Sequence, residues 1–293
     1  MLGVRQNDFM LTVNADLPNA IDAFVEQAQN TTADIAIRPA TIANGKLVAN
    51  VTVTNKTGHR FPSGVGFRRA FLEFQVVEKS GGKTLWASGR TNELGIIVDE
   101  NGKPLPSEFF EPRAAPGPGQ PRQAYQPHYY DDQAHAITGQ DQVQIFEELM
   151  LDADGNFTTS FIRRDTAVKD NRLLPAGWTE QGPDPSLSGE FLKATHPHGT
   201  GDDPHYKDGS GTSVVTYEVP LAGIDPAAVT LTATLYYQSI PPYYLKMRFE
   251  EAPDYPATKR LYYLASNLNP AGTPLENWKF KIVAATTPVT STR

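Results

Sequence analysis

Glycine and proline punctuate this chain densely: 23 Gly and 24 Pro fall among 293 residues, about one position in six. Glycine loses the most backbone freedom on ordering, and proline lacks an N–H and clashes with the preceding helical turn, so neither suits a helix interior. Such a chain is pushed toward short strands joined by turns and long connections. The turn chemistry agrees. Ala43-Asn44-Gly45 separates Asp34–Pro39 from Lys46–Thr54 (KLVANVTVT), an Asn-Gly hairpin signature. In the second of these segments Val51 and Val53 alternate with Thr52 and Thr54, the period of a half-buried strand. Ser80-Gly81-Gly82 lies between Phe71–Glu78 and Thr84–Gly89, and Asp152-Ala153-Asp154-Gly155 lies between Gln142–Leu151 and Asn156–Phe161. Val214–Val219, Val229–Tyr237 and Trp278–Ala284 read as further strands. Strands at this spacing predict a mainly β fold, a Greek-key or immunoglobulin-like sandwich.

Helix signals are few. In DLPNAIDAFVEQAQ (16–29), Asp16 can cap, Pro18 sits in the first turn, and Ile21, Phe24 and Val25 recur at helical spacing. Pro241–Glu251 and Thr258–Asn267 make a helical coda within 240–267. Residues 1–30 are therefore expected to form an N-terminal extension with a helix, and 31–293 the sandwich domain. Two proline-rich stretches, 99–141 and 170–212, interrupt that domain. Loops of this length are uncommon and usually functional or interfacial.

Several function classes are excluded. The net charge is −7 and no basic patch with interleaved aromatics occurs, which argues against nucleic acid. No apolar run reaches the roughly 18–20 residues of a transmembrane helix. Met1–Leu11 has one Arg and no apolar core, so no signal peptide is expected there; the chain is either cytoplasmic or a piece of a longer exported protein. With no cysteine, disulfides, thiolate metal sites, cysteine nucleophiles and thioether-attached haem are impossible within the chain. G-x-S-x-G, G-x-x-x-x-G-K and G-x-G-x-x-G are absent, and Glu147-Glu148 and Glu250-Glu251 are neighbours whose side chains diverge. No enzyme is expected.

Three constellations carry chemistry. In Thr57-Gly58-His59-Arg60-Phe61-Pro62-Ser63-Gly64, His59 follows a strand and is held by a stiff Gly/Pro turn. It either hydrogen-bonds its own turn or presents an imidazole to a metal or haem iron. Arg68 and Arg69 are adjacent, so on a strand they face opposite sides, and a buried structural ion pair is expected for one of them. His196, His198, His205, Asp202 and Asp203 crowd a second loop and are the candidate ligands for a divalent metal, which would suit a metal-dependent enzyme; an exposed polar loop is the plainer reading. Asp152–Asn156 resembles part of a calcium loop, yet Arg163 stands where the bidentate Glu belongs, and a turn is expected. Tyr125, Tyr129, Tyr130, Tyr236, Tyr237, Tyr243, Tyr244, Tyr262 and Tyr263 supply either packing or a carbohydrate-stacking platform.

Four segments together resemble the C-terminal sandwich region of exported bacterial multihaem c-type cytochromes. TGHRFPSGVGFRRAFLEFQV (57–76) is similar to the "GH-x-FP-x-G … RRAWL" segment that follows the haem-bearing part. KDNRLLPAGW (169–178) resembles "DNR-x-x-P-x-G". GTGDDPHY…VVTYEVP (199–220) and LYYQSIPPYYLKMRF (235–249) resemble the closing strands and helix, and VRQNDFML resembles the stretch after the last haem motif. The likeness spans most of residues 4–285, without the C-x-x-C-H motifs. It implies a periplasmic or extracellular, non-catalytic accessory domain. Residues 1–30 would link it to a haem-bearing region or cytochrome subunit, which would carry haem c, and His59 is the candidate axial ligand. An independent carbohydrate- or protein-binding module is the alternative.

Overall fold

A computed structural model describes residues 16–109, 136–184, 186 and 192–289. Its strands are β1 (Ala33–Ile37), β2 (Thr41–Ala43), β3 (Lys46–Asn55), β4 (Arg69–Glu78), β5 (Thr84–Ser88), β6 (Ile145–Leu151), β7 (Phe157–Thr158), β8 (Thr166–Asp170), β9 (Thr212–Pro220), β10 (Val229–Gln238), β11 (Leu275–Glu276) and β12 (Lys279–Pro288). Its helices are α1 (Leu17–Thr31), α2 (Pro242–Glu251) and α3 (Pro256–Ser266). Both sheets are antiparallel, so the mainly β sandwich expected from the turn pattern is what the chain forms.

In the first sheet β9 runs along one edge of β3, and β1 and β2 share the other. The Asn44-Gly45 turn closes as read, with φ of 52° and 73°, the doubly positive geometry that Asn-Gly supplies. The strand before it differs from expectation. Asp34–Pro39 is broken, and the short β2 makes the hairpin. Arg38 still donates to Asn50 across the ladder, but Pro39 has no N–H to continue it, and pairing resumes one residue out of step.

In the second sheet β10 pairs with β4 along its whole length, and β12 and β11 follow beyond β10. The other edge of β4 is divided: Phe74–Val77 pair with β5, Arg69–Phe71 with β6. β7 and β8 then extend from β6. The core lies between the sheets. Leu47, Val51, Val53, Val215 and Val219 meet Leu72, Phe74, Val76, Leu231 and Leu235. The Phe74 ring stacks on Tyr217 at 4.1 Å, and Trp86 stands edge-on to both. The alternation read in β3 holds: Leu47, Ala49, Val51, Val53 and Asn55 are its buried set.

α1 is capped by Asp16, whose carboxylate accepts from the Asn19 N–H at 3.3 Å. It lies against β12, where Phe24 meets Phe280 at 5.6 Å and Gln29 donates to the Lys281 carbonyl. α2 buries Tyr243 and Met247 against Leu149, Leu151 and Phe157. Among the described residues no helix is long and apolar enough to cross a membrane.

Two ion pairs are buried with the sheets. Of the adjacent arginines it is Arg69 that turns inward. Its Nη1 and Nη2 meet Glu108 at 2.6 and 2.8 Å, and its Nε donates to Gln238. Glu108 also accepts from the Ile97 N–H, so the start of the 99–141 stretch is fastened to the sheet. Lys169 pairs with Glu147 at 2.8 Å and donates to the Ile145 carbonyl. Burial lowers the Lys169 pKa, with Glu147 opposing.

Candidate functional site

The loop between β3 and β4 is built from its first anchor, Asn55, the last inward position of β3. Its Oδ1 accepts from the Thr57 N–H and hydroxyl, and its Nδ2 faces the carbonyls of His59, Leu173 and Leu174 at 2.8–3.1 Å. One buried amide thus ties the turn to a segment more than a hundred residues on. Phe61 and Leu173 exchange both backbone hydrogen bonds, at 2.9 and 2.8 Å, and the Phe61–Pro62 peptide is cis. Replacing Asn55 with Ala removes the donor to the buried Leu174 carbonyl and the acceptor of the Thr57 N–H and hydroxyl, while the Leu173 and His59 carbonyls keep the Phe61 N–H and the Thr57 hydroxyl, so a loss of about 1–3 kcal/mol is expected in urea denaturation. An Asn55→Ala chain as stable as the parent would mean that the Phe61–Leu173 bridge alone holds the loop.

Charge reinforces the join. Asp170, at the end of β8, is held by Arg60 through Nη1 and by Arg172 through Nε and Nη2. Arg172 also lies 3.6 Å from Glu148, which Arg164 holds at 2.9 Å. Burial disfavours both arginine charges. For Arg172 the hydrogen bond and charge of Asp170 prevail and its pKa is raised, whereas for Arg60 burial prevails and its pKa is lowered. The Asp170 backbone exchanges hydrogen bonds with His198, and the buried Tyr206 hydroxyl donates to the Asn171 carbonyl. On the far side of the loop the Phe61 ring lies 6.2 Å from Tyr237 and the Phe67 ring 4.0 Å from Tyr244, while the Tyr243 hydroxyl donates to the Phe67 carbonyl. Four sequence segments, 57–76, 169–178, 199–220 and 235–249, therefore meet around one loop.

The histidines take separate places. His59 is exposed, with Nδ1 2.9 Å from the Arg60 carbonyl. A carbonyl only accepts, so this contact places the proton on Nδ1 and leaves the Nε2 lone pair directed away from the bond. His196 sets Nε2 3.0 Å from the Glu180 carbonyl and meets the Trp178 ring edge-on at 5.8 Å. His198 is exposed and anchored by its backbone to Asp170. His205 sets Nδ1 2.8 Å from the fully buried Asp203, whereas Asp202 is at the surface, 3.6 Å from Lys207. Of the five candidate metal ligands only His205 and Asp203 are brought together, and among the described residues no group of three or more His, Asp or Glu gathers as a metal site. The tyrosines also divide. Tyr236 and Tyr243 are buried, Tyr262 and Tyr263 stand exposed on α3, and Tyr125, Tyr129 and Tyr130 lie outside the described residues.

Beside the Arg60–Asp170–Arg172 cluster is a cleft of about 670 Å³, its lining including Arg60, Arg172, Pro175, Trp178, Leu192 and Thr195. Trp178 is half-buried and reached through a turn in which Gly177 adopts φ 82° and donates its N–H to the Gly209 carbonyl. No local motif announces this cleft. Its two arginines lie on segments 112 positions apart in sequence, brought together by Asn55, the Phe61–Leu173 pairing and Asp170.

No protein family and no curated protein matches the chain. Among solved structures, a penta-heme cytochrome c552 from Thermochromatium tepidum aligns with 15% identity and a TM-score of 0.44, over 90% of this chain and 41% of that one. The chain thus spans less than half the length of the cytochrome it is similar to.

Proposed function

We propose that the chain is a non-catalytic sandwich module of an exported multihaem c-type cytochrome, packing on or docking to a haem-bearing region or subunit. The observation that carries this reading is the convergence of the four segments that resemble that family. Spread over positions 57–249, they share one hydrogen-bonded and ion-paired unit around Asn55, Asp170 and Phe61. Without cysteine the chain forms no thioether to haem, so in this reading haem c belongs to the partner region, outside the cytoplasm. No covalent haem should remain with the purified chain. A Soret band that survives acid-acetone extraction would contradict that.

The reading is tested by determining the complete open reading frame and its immediate neighbours. C-x-x-C-H motifs in the same frame, or in an adjacent cytochrome gene whose product co-purifies with this chain, are the expected result. Neither being present would end the proposal. His59 is the residue this reading offers to a haem iron, because its ring is already oriented through Nδ1. In the haem-bearing parent, ligation by His59 predicts that His59→Gln removes low-spin bands from one haem. Unchanged spectra would leave His59 as the cap of its own turn.

A further inference from the structure

Whether or not the chain belongs to a cytochrome, the cleft beside Asp170 has a ligand chemistry of its own. We infer that it is a binding site for a flat apolar molecule bearing a carboxylate, seated against Trp178 with its carboxylate toward Arg60 and Arg172.

Charge is the first argument. Three guanidiniums, of Arg60, Arg164 and Arg172, face two carboxylates, of Asp170 and Glu148, which leaves one positive charge in excess. Both oxygens of Asp170 are already engaged, Oδ1 by Arg172 Nε and Oδ2 by Arg60 Nη1 and Arg172 Nη2. The arginines carry more donors than these acceptors satisfy, and both residues line the cleft; Arg60 Nη2, buried with no partner among the described residues, meets a ligand once the Arg60 side chain shifts toward the cleft. A guanidinium offers five N–H donors and accepts nothing, so what completes the cluster is an acceptor, and a single negative charge balances it.

The wall is the second argument. Pro175, Trp178, Pro183 and Leu192 are apolar lining, which a bare inorganic anion would leave uncovered. The Trp178 ring is braced from its side by His196, itself tied to the Glu180 carbonyl, so the aromatic face is set before a ligand arrives. A volume of about 670 Å³ lies within the range of small-molecule sites, roughly 300–1,000 Å³. An apolar ligand without charge would bury the arginines and leave their donors unmet. Two carboxylates seated together in the cleft would exceed the single positive charge. One carboxylate at the edge of a flat apolar body meets both constraints.

Such a carboxylate can be a free small molecule or the propionate edge of a tetrapyrrole presented by a partner. Calorimetric titration of the unmodified chain with 1-naphthoate, its neutral counterpart 1-naphthalenemethanol, protoporphyrin IX and protoporphyrin dimethyl ester separates these. At least one acid is expected to bind about tenfold or more tightly than its neutral counterpart, the worth of a charge-assisted hydrogen bond. Preference for naphthoate assigns the site to free carboxylates, and preference for protoporphyrin over its ester assigns it to propionates. Trp178→Leu, which removes no charge, should weaken the preferred acid several-fold at an unchanged denaturation midpoint. Equal binding of acids and neutral counterparts, no binding of any probe at about 1 mM, or full affinity in folded Trp178→Leu would overturn the inference. None of these outcomes bears on whether C-x-x-C-H motifs accompany the chain.

Discussion

Glu108→Ala is expected to destabilise the protein by about 3–5 kcal/mol, because it strands a buried guanidinium. Arg69 and Glu108 are 1% and 0% exposed, and their pairing is bidentate. Removing the carboxylate leaves Arg69 only Gln238 as a named side-chain acceptor and leaves the Ile97 N–H unmet. The charge cannot be shed, since an arginine does not deprotonate in proteins. The pair itself is not the source of the loss. Both groups were desolvated at a cost comparable to their attraction, so replacing both with apolar side chains of similar size, Arg69→Met with Glu108→Leu, should recover much of the stability. Urea denaturation of the single and double variants checks this. A single variant within about 1 kcal/mol of the parent would show that water reaches Arg69 once Glu108 is gone.

Alkaline pH should unfold the chain steeply. Burial raises the pKa of Tyr206 and of Tyr243 well above the ordinary 10, helped by Asp203 and Asp170 at Tyr206 and by Glu147 at Tyr243, against the pull of Arg60 and Arg69. Above about pH 10 the unfolded chain releases these two protons while the native chain keeps them. The native state then binds more protons, so stability falls as pH rises, by roughly 1.4 kcal/mol per pH unit for each group. Lys169 acts in the opposite direction. Its lowered pKa means that the native chain sheds that proton first, and stability rises with pH until the unfolded lysine titrates near 10.5. Burial also raises Tyr236 and Tyr237, so beyond that point these tyrosines act together, Tyr206 and Tyr243 alone supplying roughly 3 kcal/mol per pH unit. Urea midpoints across the alkaline range should drop sharply, and Tyr206→Phe should lower the slope by one tyrosine's share, roughly 1.4 kcal/mol per pH unit. A flat profile above about pH 10.5 would contradict the burial of both hydroxyls.

Much of the β-structure is legible in the sequence because turn chemistry and alternation are local signals. Asn44-Gly45 and the Val/Thr alternation of β3 show what the backbone does there without reference to anything distant. β8 escapes the same reading. Its five residues end in Lys169 and Asp170, which look solvated until Glu147, Arg60 and Arg172 are placed around them. One of Arg68 and Arg69 is readable as an inward arginine, but nothing local says that it is Arg69 or names Glu108, 39 positions on. The histidine-rich loop shows the converse. Five candidate ligands crowd together in sequence, yet the backbone pairing of His198 with Asp170 and the short helical turn at Pro204–Tyr206 send them to different partners. The Arg60–Arg172–Trp178 cleft depends on contacts across more than a hundred positions, and local pattern carries no trace of such closure.

The divided edge of β4 bears on how the chain tolerates length variation. β5 and β6 take their register from β4 and not from one another, with Leu72 donating to the Gln144 carbonyl between them. In an ordinary hairpin an added residue in the connection shifts the facing strand and turns its apolar side outward. Here the connection leaves the sheet at Gly89, where a side chain would meet the Leu72 carbonyl at 2.1 Å, and is fixed again by Glu108 and by the bridge of Ile137 to Tyr217. Residues added or removed between those last two anchors therefore leave the register of β5 and β6 on β4 as it is.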